Sequence, residues 1–139
     1  MMKDTRENNT LETRRLYLRP WTPDDAEGFH RVWGDPAVVW WRAPEPDLDA
    51  SARALDALLA RSEAMPPGQG WWCVVERETG SVVGNVMLQP MPGDRDRTEL
   101  GYHIVSGRWG EGLATEAARA VLNYGSLVLG LEEIVAAVH

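Results

Sequence analysis

The sequence predicts an α+β domain of three layers, with a mixed, mainly antiparallel sheet flanked by helices. Three observations carry that reading: period-2 apolar segments follow one another in hairpin order, helical periodicity flanks them, and the chain closes on a strand–helix–strand run able to form a parallel crossover. At 139 residues the chain suits one hydrophobic core and not two.

The elements follow in order. Residues Arg15 to Pro20 alternate, with Leu16 and Leu18 on one face and Tyr17 and Arg19 on the other, as in a half-buried strand. Thr22-Pro23-Asp24-Asp25 offers a hydroxyl at the N-cap, proline at the first helical position and acids in the first turn, so a helix is expected to run to about Trp33. Gly34-Asp35-Pro36 ends it. A second amphipathic helix is expected from about Asp49 to Glu63, with Ala52, Leu55, Leu58 and Leu59 at helical spacing. Pro66-Pro67-Gly68 breaks the chain, and Trp71 to Glu76 and Val82 to Gln89 read as a hairpin turning at Thr79-Gly80. A polar loop is expected from Pro90 to Arg97, then a strand from Thr98 to Ile104. The next helix is expected from about Ala114 to Leu129, burying Ala118, Val121, Leu122, Gly125 and Leu129, with Gly130 just beyond its end. Glu133 to Val138 reads as the last strand. The polar segment through residue 10 is expected to be flexible, leaving 11–139 as the domain.

Composition narrows the function. A net charge of −7 argues against a polyanion as the main partner, since nucleic-acid binders neutralise phosphates with a basic face. The acidic balance suits an amine-bearing substrate better. One cysteine, Cys73, excludes an internal disulfide, no Cys/His spacing suggests a metal site, and Cys73 inside an apolar strand is most simply a small buried hydrophobe. With no apolar leader and no window of 18 or so apolar residues, a cytoplasmic location without membrane association is expected.

The stretch richest in chemistry is Glu99-Leu-Gly-Tyr-His-Ile-Val-Ser-Gly-Arg-Trp-Gly-Glu-Gly-Leu-Ala-Thr-Glu-Ala117, which passes from a strand through close-set glycines into a helix. The first amides of that helix lack intrahelical acceptors, and side-chain-free Gly110 and Gly112 allow an anion to approach them. A glycine pair at a helix start also serves an ordinary tight turn, so alone it is weak evidence. Neither a dinucleotide fingerprint nor a P-loop fits, because a third glycine and Gly-Lys-Ser/Thr are absent.

Trp109-Gly-Glu-Gly-Leu-Ala-Thr-Glu-Ala-Ala118, preceded by Glu99-Leu-Gly-Tyr102, resembles the acetyl-CoA motif of the GNAT superfamily of N-acetyltransferases. Leu11-Glu-Thr-Arg-Arg-Leu-Tyr-Leu-Arg-Pro20 with the Asp35-Pro36 turn is similar to the branch containing ribosomal-protein N-terminal acetyltransferases. In the superfamily pattern Gln/Arg-x-x-Gly-x-Gly/Ala, Gly112 and Ala114 hold the last positions, while Trp109 departs from the polar residue usual at the first. The resemblance implies that acetyl-CoA is the co-substrate, bound by the strand end at His103, Ile104 and Val105 and by the loop and helix start at Trp109, Gly110, Glu111, Gly112, Leu113, Ala114 and Thr115. It implies direct attack of a primary amine on the acetyl thioester, with Glu99 the first candidate for general base, through water. A solvated strand-end glutamate is the plain alternative, and His103 is a weaker candidate. Acceptor recognition is expected from the first two helices and their connection, where Trp40 and Trp41 could wall an amine; helix packing is the simpler account of that pair.

Relatives in the family continue with a helix and two more strands that include the general acid, commonly a tyrosine, so this chain is expected to stop short of the full fold. A homo-oligomer that covers the open sheet edge is expected. Two functions remain open: an N-acetyltransferase acting on a protein N-terminus or a small amine, or a catalytically defective acyl-CoA-binding or interaction module.

Overall fold

A computed structural model describes residues 10–136. The expected flexible segment 1–10 and the end of the last expected strand, Ala137 and Val138, fall outside these residues except for Thr10. Among the described residues six strands form one sheet in chain order: β1 (Leu11–Glu12), β2 (Leu16–Pro20), β3 (Gly70–Glu76), β4 (Val82–Met91), β5 (Asp94–Ile104) and β6 (Ile134–Ala136). Neighbours pair antiparallel except β5 and β6, which run parallel with Glu99 opposite Val135. Helix α3 (Leu113–Leu127) makes that crossover and covers one face, while α1 (Ala26–Trp33) and α2 (Leu48–Glu63) lie on the other.

Strand periodicity divides the core between the two faces. Leu16, Leu18, Trp72, Val86, Leu88, Leu100 and Ile104 meet Leu113, Ala117 and Val121 under α3. Cys73 and Val75, one residue out of phase, meet Trp21, Phe29, Val32, Trp33, Leu55 and Leu58 under α1 and α2. The central strands read as unbroken apolar runs because both faces are buried. Phe29 stacks on Trp33 at 4.2 Å, and Trp21 meets both rings edge-on.

Local physics corrects several expected boundaries. Thr22 is the N-cap as expected, with the Asp25 carboxylate reaching back to accept its amide at 2.7 Å, but it caps a 3-10 turn, Pro23–Asp25, that precedes α1. Helix α2 starts at Leu48 because Asp47 caps it, accepting the Ala50 amide at 2.8 Å. The loop expected from Pro90 to Arg97 is mostly strand: Pro92-Gly93 alone turns the chain, and the residues in excess on β5 are absorbed by a register shift beside Pro90. The buried stripe of α3 is Leu113, Ala117, Val121, Tyr124 and Gly125, so Leu122 points outward and is 44% exposed. The helix stops at Leu127, with Gly130 left-handed at φ +69° three residues later.

A bulge at Val83 sets the working end of the sheet: Val74 pairs with Gly84 and Val75 with Val82, leaving Val83 to accept the Val105 amide. A Cβ on Gly84 would lie 2.3 Å from the His103 carbonyl, so only glycine lets β4 approach β5 where His103 emerges.

Trp72, 2% exposed and edge-on to Tyr124 at 5.7 Å, joins β3 to α3. Trp72→Ala is expected to cost about 3–5 kcal/mol of stability, read as a lowered urea midpoint.

Candidate active site

Gly110 and Gly112 turn the chain into α3 with φ of +83° and +79°, the left-handed region that costs a side-chain-bearing residue energy. Gly112 is the N-cap and supplies no side-chain acceptor, so the first amides of α3 have no partner within the helix. A cleft of about 520 Å³ opens in front of them, running to the end of β5. Of the residues expected to hold the donor, His103, Ile104, Trp109, Gly110, Gly112, Leu113, Ala114 and Thr115 line it. Val105 and Glu111 do not: the Val105 amide bonds Val83, and the Glu111 carboxylate turns aside to Arg108. Trp109 lies against the strand end, where its indole N–H donates to the Ile104 carbonyl at 2.7 Å. The polar duty open at this position is therefore turned inward, to the backbone.

Ionic contacts fasten this loop from three sides. The Arg15 guanidinium donates to Glu116 at 2.7 Å and to the Glu111 carbonyl at 2.9 Å, while the Thr13 hydroxyl also donates to Glu116. Arg108 bridges Glu76 on β3 and Glu111 in the loop. Asp35, just after α1, accepts the amide and hydroxyl of Ser106 at 3.0 and 2.8 Å. Burial pushes the Glu116 carboxyl up, yet the bonds from Thr13 and Arg15 outweigh it and hold the group below the usual carboxylate range. At Asp35 burial is likewise outweighed, by the Ser106 amide and hydroxyl.

Trp40 and Trp41 do not pack between helices. They stand edge to face at 5.9 Å, 63% and 45% exposed, because the 34–47 connection carries them out over the cleft. Trp41 and His103 also line a second cleft of about 690 Å³ on the α1–α2 face, so these two residues sit at the junction. Trp33, Trp71 and Met87 wall the second cleft, and Arg61 stands over the Trp71 ring at 5.6 Å.

The His103 ring is oriented from the core. The Trp21 indole can only donate, and it donates to Asn85 Oδ1 at 2.9 Å, which turns the Asn85 amide nitrogen toward His103 Nδ1 at 3.2 Å. That nitrogen in turn can only donate, so Nδ1 accepts and the imidazole proton belongs on Nε2. The Nδ1 edge of His103 is thereby taken up by the Asn85 amide, and a base role through Nδ1 is closed. Glu99 lies elsewhere: four residues and about 13 Å back along β5, its carboxylate accepts the Gln89 amide at 3.1 Å, and Gln89 accepts the Trp71 indole. It lines neither cleft. Cys73 is fully buried, and its desolvated thiol is pushed up to about 12, which removes the thiolate that nucleophilic chemistry needs.

Sequence reasoning missed Asn85, Arg15, Arg108 and Arg61. Asn85 left a signal, a lone amide within Val82-Val-Gly-Asn-Val-Met-Leu88 that has to satisfy its polar atoms inside a core. The arginines left little, since the partners that tie Arg15 and Arg108 to other elements, Glu116 and Glu76, lie 101 and 32 positions away along the chain and that of Arg61 is a ring on another element.

A family model described as "Acetyltransferase (GNAT) domain" matches residues 15–139. The chain is 32% identical over 131 residues to the uncharacterized N-acetyltransferase p20 of Bacillus licheniformis, covering 94% of this chain and 73% of that protein. It is 32% identical over 134 residues to the FsC-acetyl coenzyme A-N(2)-transacetylase of Aspergillus fumigatus, covering 91% of this chain and 56% of that protein. Among solved structures, a GNAT-family acetyltransferase from Bacillus anthracis superposes with a TM-score of 0.73 at 21% identity, over 91% of this chain and 72% of that one.

The depressed carboxyls predict an acid response. Their contribution to stability is complete above the ordinary carboxylate range near pH 4 and is lost as pH falls through the lower folded-state values of Glu116 and Asp35. Melting temperatures between pH 6 and 2 are expected to fall less steeply for Glu116→Gln, which begins from a lower value at pH 6.

Proposed function

The chain belongs to the GNAT acetyltransferase family, and from that premise we propose that it moves an acetyl group from acetyl-CoA to a primary amine by direct attack. The observation that carries this reading is the cleft joining the end of β5 to the glycine-framed start of α3. Its residues fit the donor. Side-chain-free Gly110 and Gly112 leave room for a pyrophosphate beside the open amides and the positive end of the α3 dipole, which lets a chain of net charge −7 hold an anion. The apolar walls from Val38, Tyr102 and Ile104 suit the uncharged arm that would follow.

In the proposed step the amine lone pair forms a C–N bond to the thioester carbonyl carbon and the C–S bond breaks. The products are an N-acetyl amide and CoA thiol, and the proton lost by the amine balances the one gained by sulfur. The cleft walls by Trp40 and Trp41 would exclude water from the thioester, and His103 at the junction would meet the acceptor. The position of Glu99 favours a structural role, closing the Trp71–Gln89–Glu99 chain, over proton transfer. A protein N-terminus and a small amine both remain acceptors to be distinguished, and binding without turnover on either would assign an acyl-CoA-binding module instead.

Calorimetric titration with acetyl-CoA tests the donor site. Gly112→Ala places a side chain at φ +79°, a strain of about 1–2 kcal/mol that the free turn relieves by leaving the left-handed region and misaligning the open amides, and is expected to weaken acetyl-CoA roughly fivefold to thirtyfold. Equal affinity in the two proteins, or none in the folded parent, would sink the assignment. Glu99→Gln is expected to keep kcat within about threefold, whereas loss of the general base would remove on the order of a hundredfold or more.

A further inference from the structure

The second cleft has a charge opposite to that of the chain. Arg42 on its rim is cancelled by Glu45 at 3.0 Å, leaving Arg61, which pairs with no carboxylate among the described residues and rests on the Trp71 ring. The floor runs along β4 and β5 from His103, level with Asn85, past Met87, to the end of the Trp71 indole beside Gln89. That separates Arg61 from the junction with the donor cleft by two to four strand positions, about 7 to 13 Å. Glu99 forms no ion pair with Arg61 and lies outside the cleft, hydrogen-bonded by the Gln89 amide.

We propose that the second cleft binds the amine acceptor and selects a bifunctional molecule, an amine and a carboxylate at opposite ends of a flat apolar body, with Arg61 as the specificity-determining residue. This rests on the reading that acetyl-CoA fills the first cleft, because that reading puts the reacting amine at the Trp41–His103 junction. The apolar body then lies between Trp33, Trp71 and Met87, where an aromatic ring stacks without strict register. The far end meets a guanidinium already oriented by its stacking on Trp71, which suits a carboxylate with paired oxygens and repels a second ammonium. Polyamines and aminoglycosides, which the net charge alone would favour, are disfavoured by this cleft.

Three amines of one shape separate the possibilities: 4-(aminomethyl)benzoate, benzylamine and 1,4-bis(aminomethyl)benzene, which carry at the far end a carboxylate, nothing or a second ammonium. Binding to the whole chain is read from tryptophan fluorescence, without acetyl-CoA, and turnover from release of CoA thiol; buried Cys73 does not interfere with a thiol reagent. The carboxylate is expected to bind at least tenfold tighter than benzylamine, and the diamine weakest. Arg61→Gln is expected to bring all three within about twofold of one another, and Arg61→Glu to put the diamine first. Equal binding of the three by the parent, or an order indifferent to Arg61, overturns the proposal, as does preference for a peptide N-terminus over all three. Calorimetry with acetyl-CoA keeps the two readings apart. Carboxylate selectivity without acetyl-CoA binding would fell the donor assignment alone, and acetyl-CoA binding with an unselective second cleft would fell this one alone.

Discussion

The bond from Arg15 to Glu116 ties the first hairpin to the first turn of α3 across 101 positions of sequence. Without it the start of α3 would lose its tie to β2 and the loop would be held by the Arg108 and Asp35 contacts alone. With it, the open end of α3 is referred to the sheet through β2, and through Arg108 and Glu76 to β3 as well. The carboxylates that hold the loop take up the nearby arginine charge, so an anion bound there would depend on backbone amides and the helix dipole more than on cationic side chains. Such a site is a matter of geometry, and geometry is what the clamp supplies.

The two faces of the sheet carry different tasks for a related reason. Under α3 the packing is mainly aliphatic around the Trp72–Tyr124 pair, with Leu88, Leu100, Ala117 and Val121 at or near full burial. Under α1 and α2 it is aromatic, and Trp33, Trp71 and Trp41 line an open trough. Cys73, at the centre of this face, is small and inert, a spacer beneath the rings.

Much of this was legible in the sequence. Alternation in Leu16-Tyr-Leu-Arg19 and helical spacing in α2 and α3 place most elements within a few residues, because burial on one face leaves a period that no other arrangement reproduces. The Gly110-Glu-Gly112 turn was legible for the same kind of reason, since few residues besides glycine stand at φ near +80°. What escaped reading was whatever depends on a partner distant in sequence. The Pro90–Arg97 stretch is polar because its strand ends project into solvent, which sequence alone cannot tell from a loop. Trp40 and Trp41 carry an apolar label that suggests burial, while the connection that bears them buries Val38 and Val39 and turns these two rings outward. The trough on the α1–α2 face needs three elements to be assembled before it exists at all.

Trp21 makes a last point about how chemistry is specified in this molecule. It is 3% exposed and lines neither cleft, yet its single N–H decides which way Asn85 faces and hence which nitrogen of His103 carries the proton. The address of a proton at the junction of the two clefts is thus written in the hydrophobic core, by a side chain that lines neither of them. Drift among the aromatic rings there is constrained by acid–base bookkeeping as well as by volume, and an isosteric ring without a donor would fill the same space while leaving the imidazole free to present either edge.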